Sequence, residues 1–462
     1  MEEEGRRVWD GLEKGREENA LKVLEISPME RIVGHTRLFV ELDDGIVKEA
    51  RFEIPEDARF FEAFLVGRRY EEVPEITSRI CGTCNVNHRI AALRAIEKAL
   101  GIENSRQTEM LRELAICGSN LQSTALHFFF LALPDYLGFR NTLEMASKCP
   151  EEIARGFRLK SLGNLIVEAI AGRAIHTIAM VVGGFTSYPS RGRLIGLTKA
   201  LKEAEGDFLK ALELATSLEF PRAKGFNKTH MCIKGDGDYA YNGDFVQVSD
   251  GRVFRSEEYR NFLEESVVPY ASTKRYRVGG SCFYVGSRAR FNINGSFLGE
   301  RVKKAIGSLN LNLRPPLDSP FENLLAKAIE LLHYYDRSLS ILEELLDRRY
   351  IDNMIITPTR TKGEGVGSTE ATRGLLIHEY EIGEGGRIDY ANIITPTAMN
   401  SGHIEDSVKV LVSQLSGEGK AHEDLKLELE KLIRTYDPCI SCATHAIQVI
   451  LSEEGKEANS LG

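Results

Sequence analysis

The chain has no apolar run long enough to cross a bilayer. Its best stretch, residues 164–185, is interrupted by Glu168, Arg173 and His176, and a spanning helix needs roughly 20 apolar residues. No secretion signal is visible, because Met1-Glu2-Glu3-Glu4-Gly5-Arg6 is charged and no apolar core follows. Positive charge is not in excess: 59 Lys and Arg against 68 Asp and Glu give a net charge of −9. That balance excludes nucleic acid or an anionic membrane as the main partner. There is no internal repeat and no low-complexity tract. A disulfide framework is excluded too, since eight cysteines are spread over 462 residues with no secretion signal. The expectation is a reducing, cytoplasmic setting.

What is present is ordinary globular composition, 42% hydrophobic and 27% charged, at a length that buries a large core. Residues 1–25 read as a polar helix or arm. Two alternating runs, 38–42 and 47–54, flank Asp43-Asp44-Gly45 and predict a β-hairpin. Helical spacing covers 59–69, 90–100 (stopped by Gly101), 105–132, 151–181, 195–217, 321–348 and 405–434. In the sixth of these, Leu324, Leu325, Ala328, Leu331, Leu332 and Tyr335 share one face. Residues 226–294 read as a smaller β-rich insertion, and 358–398 as short strands and loops. The fold class is α+β, mainly α: one domain over 1–462 with a central helix bundle and smaller β-rich regions.

Chemistry concentrates in two C-x-x-C pairs, Cys81-Gly82-Thr83-Cys84 and Cys439-Ile440-Ser441-Cys442. A histidine follows each, His88 and His445. Cys117 reads as a small core residue, and Cys149, Cys232 and Cys282 as structural or free thiols. Cys81 and Cys84 feed a helix N-terminus, where peptide N–H groups and the helix dipole favour thiolate. Four thiolates select zinc, copper(I), an iron–sulfur cluster or a nickel/iron centre over magnesium or calcium. Zinc-ribbon pairs lie within tens of residues of each other, whereas Cys84 and Cys439 are 355 positions apart. A dithiol redox motif needs only one pair. Taken alone, His127 and His176 are as readily packed core histidines as functional ones. Glu62 alone is a surface carboxylate, and Arg373 an ordinary loop arginine.

The longer segments Arg79-Ile80-Cys81-Gly82-Thr83-Cys84-Asn85-Val86-Asn87-His88 and Asp437-Pro438-Cys439-Ile440-Ser441-Cys442-Ala443-Thr444-His445 resemble the two signature motifs of nickel–iron hydrogenase large subunits. Further blocks carry the resemblance along nearly the whole chain: Arg31-Ile32-Val33-Gly34-His35, Arg59-Phe60-Phe61-Glu62, Leu126-His127-Phe128-Phe129-Phe130-Leu131, Gly172-Arg173-Ala174-Ile175-His176 and Glu370-Ala371-Thr372-Arg373-Gly374-Leu375-Leu376-Ile377-His378. The mixture looks most like the cytoplasmic group related to archaeal coenzyme-F420-reducing and heterodisulfide-reductase-linked enzymes. The resemblance implies reversible cleavage of H2 to protons and electrons. It implies Cys81 and Cys439 as terminal thiolates on nickel, and Cys84 and Cys442 as bridges to an iron bearing CO and cyanide. Arg373 is implied at the open coordination position with Asp437 holding it, and a terminal thiolate such as Cys439 as a candidate base. His88, His378 and Arg79 are implied as surrounding donors, and Glu62 with His445 as ligands of magnesium or a similar ion. The chain has no further cysteine clusters for iron–sulfur wiring, so an iron–sulfur small subunit is the implied electron partner. The 17 residues after His445 resemble the family's maturation extension, removed between His445 and Ala446 by an endopeptidase once nickel-insertion proteins have acted. The quinone-side subunit of respiratory complex I is a weaker match, because that lineage lacks the four thiols.

One departure bears on activity. The family carries a proton-transferring glutamate before Gly-His, and here that position is Val33. Valine carries no proton, so an alternative reading is a metal-binding homologue with altered or slow proton transfer. Glu30 is the nearest substitute. Thr372 and Val182, where the family usually has proline, are milder changes of backbone stiffness.

Overall fold

Helix α2 (Arg106–Leu126) and helix α3 (Pro150–Ala171) pack on each other within one large apolar cluster. They come close because each offers a glycine. A Cβ on Gly118 would lie 2.7 Å from Ile166 Cγ2, and one on Gly163 would lie 2.6 Å from the Gln122 nitrogen. These positions come from a computed structural model, which describes residues 22–43, 46–309, 315–347, 355–417 and 422–444. Among them, no helix is long and apolar enough to cross a membrane.

Helix α1 (Asn85–Leu100) starts at Cys84 and stops at Gly101, whose φ of 65° gives the left-handed cap that glycine accepts without strain. Helix α2 is capped by Ser105, whose hydroxyl accepts from the Thr108 N–H at 3.2 Å. Beyond Leu126 it widens into a π-helical turn, His127–Ala132. Helix α5 (Asn323–Asp347) lies beside α2 and buries the six apolar positions that share its sequence-marked face. It also buries Lys327, Glu330 and His333, which no apolar periodicity asks for.

Strands β1 (Lys22–Ile26), β2 (Arg37–Asp43) and β3 (Ile46–Glu53) form an antiparallel sheet. It packs against α6 (Pro396–Gly417) and α7 (His422–Thr435) in one apolar cluster. Strands β9 (Gly363–Ala371), β10 (Gly374–Ile382) and β11 (Ile388–Ile394) form another. Between them in sequence lie β4 (Met231–Ile233), β5 (Phe245–Val248), β6 (Val253–Arg255), β7 (Leu263–Val268), β8 (Ala271–Val278) and α4 (Ser287–Asn294). The apolar faces of β4 to β8 share a cluster with Val366, Leu375 and Ile377 of β9 and β10.

Several predicted boundaries move. The 59–69 helix shrinks to Phe61–Leu65, because Phe60 (φ 55°) and Gly67 (φ 80°) turn the backbone on either side. The 151–181 helix ends at Ala171, where Gly172 takes φ 81°, and Met180–Val181 is a short strand. Residues 195–217 fall in two helices, Arg191–Glu203 and Glu205–Ser217. The 405–434 helix is likewise two, α6 and α7, and its first part starts at Pro396. The end of the expected β-rich stretch is helix α4, and the 358–398 strands reach nine residues.

The glycines of β9 explain why a Gly-rich stretch is a long strand. Gly363, Gly365 and Gly367 alternate, so they line one face, and α1 lies on that face. A Cβ on Gly365 would fall 2.0 Å from the Ala95 carbonyl oxygen, and one on Gly367 2.3 Å from that of Ala91. Backbone meets backbone here, so no flexible side chain can give way. Gly365→Val is expected to lower stability by about 3 kcal/mol, the upper end of ordinary overpacking, read as a lower urea midpoint. An unchanged midpoint would show that α1 lifts off the strand without cost.

Candidate metal centre

The two cysteine pairs meet in the core. Cys84 precedes the first turn of α1, and Cys439 precedes the short helix Ile440–Ala443. Cys439 Sγ lies 3.4 Å from Cys81 Sγ and 3.1 Å from Cys442 Sγ. The sulfurs of Cys81, Cys84 and Cys442 lie within 4.8 Å of one another, and all four residues are buried. Metal–thiolate bonds of about 2.3 Å put neighbouring sulfurs roughly 3.3–3.8 Å apart around a four-coordinate ion. The Cys81–Cys439 spacing lies in that range, and four buried soft donors gathered this closely suit a thiophilic metal.

Each loop is held by main-chain contacts. Asn85 Nδ2 donates to the Gly82 carbonyl (2.7 Å), and Gln122 Nε2 to that of Thr83 (3.1 Å). On the other loop, the Cys439 N–H donates to Thr397 Oγ1 (3.0 Å) and the Ile440 N–H to the Val33 carbonyl (2.8 Å). Gly34, at φ 105°, makes room for this: a Cβ there would lie 2.5 Å from Ile440 Cβ. Arg59 joins the two loops. Its Nη1 donates to the carbonyls of Ile80 (2.6 Å) and Ser441 (2.9 Å), one from each side of the centre.

One guanidinium stands over the sulfurs. Arg373, in the turn between β9 and β10, donates from Nη1 to Cys84 Sγ (3.2 Å) and Thr83 Oγ1 (3.3 Å). Its Nε donates to the Asp437 carbonyl (2.7 Å) and Nη2 to Asp437 Oδ1 (2.9 Å). Asp437 sits at φ 53°, a left-handed conformation that aspartate tolerates better than most residues. Lys327 Nζ donates to its remaining oxygen, Oδ2, at 2.9 Å. Burial pushes the Asp437 carboxyl up, and Arg373, His127 and Lys327 together outweigh it and hold it below the usual range. Hydrogen bonds from Cys439 and Cys442 hold Cys84 below the ordinary thiol range. Those from Cys439, Cys442 and Cys84, with the Arg373 charge, hold Cys81 well below it.

His88, one turn into α1, places Nδ1 3.1 Å from His378 Nε2 on β10, and His378 Nδ1 is 2.6 Å from the Tyr380 hydroxyl. Glu62 is buried, accepts from the Ile393 N–H (2.8 Å) and faces Lys274 Nζ at 3.5 Å. The Arg79 side chain does not join the centre. It is exposed and donates to Glu75 Oε1 (2.8 Å), and only its carbonyl takes part, accepting from Arg59. His445 and Ala446 lie outside the described residues. Val33 bridges to Cys439 through its backbone and packs beside the cysteines. Glu30 is exposed and contributes its carbonyl to Arg434, so its carboxylate does not fill the place of the missing glutamate. His127 and His176 bond main-chain carbonyls, those of Arg434 (2.7 Å) and Ser78 (2.9 Å). Burial pushes His127 down to about 4, which keeps it neutral. Burial pushes the Cys117 thiol up.

Sequence reasoning missed Arg59 and Lys327 as builders of the centre. Lys327 did leave a signal: a lone charge inside Leu324-Leu325-Ala326-Lys327-Ala328-Ile329 is buried whichever way the helix turns.

The sequence matches the family described as nickel-dependent hydrogenase over residues 59–164 and 227–445. It is similar to the alpha chain of sulfhydrogenase 1 from Pyrococcus furiosus, with 35% identity covering 92% of this chain and 98% of that one. An F420-non-reducing hydrogenase chain from Methanococcus voltae shares 31%, covering 92% and 95%. Among solved structures, an NAD+-reducing [NiFe]-hydrogenase in its H2-reduced state superposes with a TM-score of 0.81 at 30% identity, covering 92% of this chain and 100% of that one. A Dm. baculatum [NiFeSe]-hydrogenase shares the fold, with a TM-score of 0.75 at 20% identity and the same two coverages. With four buried thiols gathered under an arginine and these relatives matched almost end to end, the chain belongs to the nickel-dependent hydrogenases, as the large, catalytic subunit of a nickel–iron enzyme acting on H2.

Proposed function

We propose that this protein cleaves H2 reversibly and heterolytically at a nickel–iron centre held by Cys81, Cys84, Cys439 and Cys442. The observation that carries the reading is the meeting of four buried sulfurs, from loops 355 positions apart, beneath one guanidinium. Cys81 and Cys439 would hold the nickel alone. Cys84 and Cys442 would also hold the iron, which would carry CO and cyanide. When bound, the metal pair supplies the Lewis acidity that polarises H2. The chain supplies the rest. Cys439 Sγ accepts the proton. Arg373 stays charged: burial lowers its guanidinium, but Asp437 and the cysteines outweigh that and raise it well above its ordinary value. It therefore acts by position and field, not as a base. His88 and His378 support the centre from α1 and β10. Glu62, a buried carboxylate that faces Lys274, would hold a magnesium-like ion with His445. Electrons leave through an iron–sulfur small subunit, since among the described residues only the C-x-x-C cysteines group as metal ligands. The compartment is cytoplasmic. Nickel-insertion proteins and an endopeptidase cutting between His445 and Ala446 complete maturation.

The deciding experiment is an infrared spectrum of the purified, matured protein. Bands from the diatomic iron ligands are expected where polypeptide does not absorb. Their absence, with zinc bound and nickel missing, overturns the reading.

A second reading, slow proton transfer, is favoured by Val33, whose backbone bridges to Cys439 and whose side chain carries no proton. Val33→Glu is expected to raise H2-dependent dye reduction at least about tenfold, below the 10²–10⁴ that a well-placed acid–base group gives. No gain would show that proton exit is not limited at this position.

A further inference from the structure

Two charged side chains one turn apart interrupt the apolar run of α5, Lys327 (1% exposed) and Glu330 (0% exposed). Each reaches Arg373 through an intermediary. Lys327 Nζ donates to Asp437 Oδ2 (2.9 Å), while Asp437 Oδ1 and its carbonyl hold the guanidinium. Glu330 accepts from Arg290 at both oxygens, from Nε at 2.6 Å and from Nη2 at 2.8 Å. Arg290 in turn donates to the carbonyls of Ala371 (2.9 Å) and Thr372 (3.2 Å), the two residues before Arg373, and to Glu370 Oε2 (2.7 Å). One helix thus grips the arginine at both ends, its guanidinium through Asp437 and its backbone through Arg290.

Packing does not require this arrangement. Apolar residues at 327 and 330 would sit among Leu324, Ala328 and Leu331 without the desolvation that buried ions suffer. The second cation on Asp437 does have a positional consequence. A carboxylate paired on one side can swing about its terminal torsion, which is broad and two-fold. With Arg373 on Oδ1 and Lys327 on Oδ2, its plane is fixed.

We propose that Lys327 and Glu330 are positioning residues that fix Arg373 so that Nη1 meets the Cys84 sulfur. The inference rests on the nickel–iron reading for what Arg373 does there, and not for where Arg373 lies.

The test is Lys327→Met, which keeps the bulk and leaves Asp437 paired with Arg373, alongside Lys327→Arg as the conservative variant. Each is read by crystal structure, nickel and iron content, and the infrared bands of the iron ligands. In Lys327→Met, full metal content is expected, with the Arg373 guanidinium displaced by more than about 0.5 Å or split between two positions. The iron-ligand bands shift or split, and H2 oxidation falls about 10- to 100-fold. Lys327→Arg restores a single position and the parent bands. Glu330→Gln displaces the Ala371–Arg373 backbone instead. A guanidinium that stays in place with unchanged bands overturns the proposal. If Lys327→Met does not fold, Lys327→Gln is judged by the same two results. If the parent itself shows no iron-ligand bands, the nickel–iron reading fails, and the guanidinium position in the crystals still decides for Lys327.

Discussion

Cys439→Ser is expected to lose nickel and to lower H2-dependent dye reduction by at least about 1000-fold, roughly 4 kcal/mol of lost transition-state stabilisation. Of the four thiols, Cys439 is the one whose sulfur lies within 3.4 Å of both Cys81 and Cys442, so it links the two loops. A serine oxygen is a hard donor with a much higher pKa, and it selects against a soft thiophilic ion. The fold has little reason to change. The contacts that seat this residue are main-chain ones, from its N–H to Thr397 Oγ1 and across the bridge to Val33, and serine keeps them. A nickel-free protein with the parent's thermal midpoint, measured on the metal-free forms, separates a ligand role from a structural one. Retained nickel with activity above about a tenth of the parent would remove Cys439 from the proposed ligand set.

That the two pairs belong together was legible because each is a local pattern, and four thiolates at opposite ends of a chain make little sense apart. The hairpin at 38–54 and the stop at Gly101 were legible for the same reason: turn and cap signals act over a few residues. The misses have a common physical origin. The 151–181 helix was drawn too long because apolar spacing continues past Gly172, and only the left-handed turn there ends it. The 358–398 strands were drawn too short because glycine ordinarily weakens a strand, whereas here Gly363, Gly365 and Gly367 are what lets α1 lie on β9. Arg79, next to the motif in sequence, turns outward to Glu75, while Arg59, twenty positions earlier, reaches both loops. Contacts of that kind are made by the fold, and no spacing announces them. Glu30 failed as a substitute for the same reason: proximity in sequence to Val33 did not bring its carboxylate inward.

Arg373→Lys is expected to keep nickel and iron and to lose about 10²–10³ in H2-dependent turnover, the range seen when a single preorganised donor is removed from an active site. The substitution preserves charge, so it separates field from geometry. Arg373 uses three nitrogens at once: Nε on the Asp437 carbonyl, Nη2 on Asp437 Oδ1, and Nη1 on Cys84 Sγ and Thr83 Oγ1. A lysine has one nitrogen, and its donors cannot span a carboxylate on one side and a sulfur on the other. It can keep the ion pair with Asp437 or approach the sulfur, and the pair is the stronger attraction in a buried site. The cation then retreats from Cys84 by the depth of the guanidinium fork, and the Cys84 sulfur loses its donor while the net charge around it is unchanged. Metal retention follows, because none of the four sulfurs is altered and Asp437 keeps Lys327 on Oδ2. Turnover within about threefold of the parent would mean that a positive charge anywhere beside Asp437 suffices, and the positional role of the guanidinium would have to be given up.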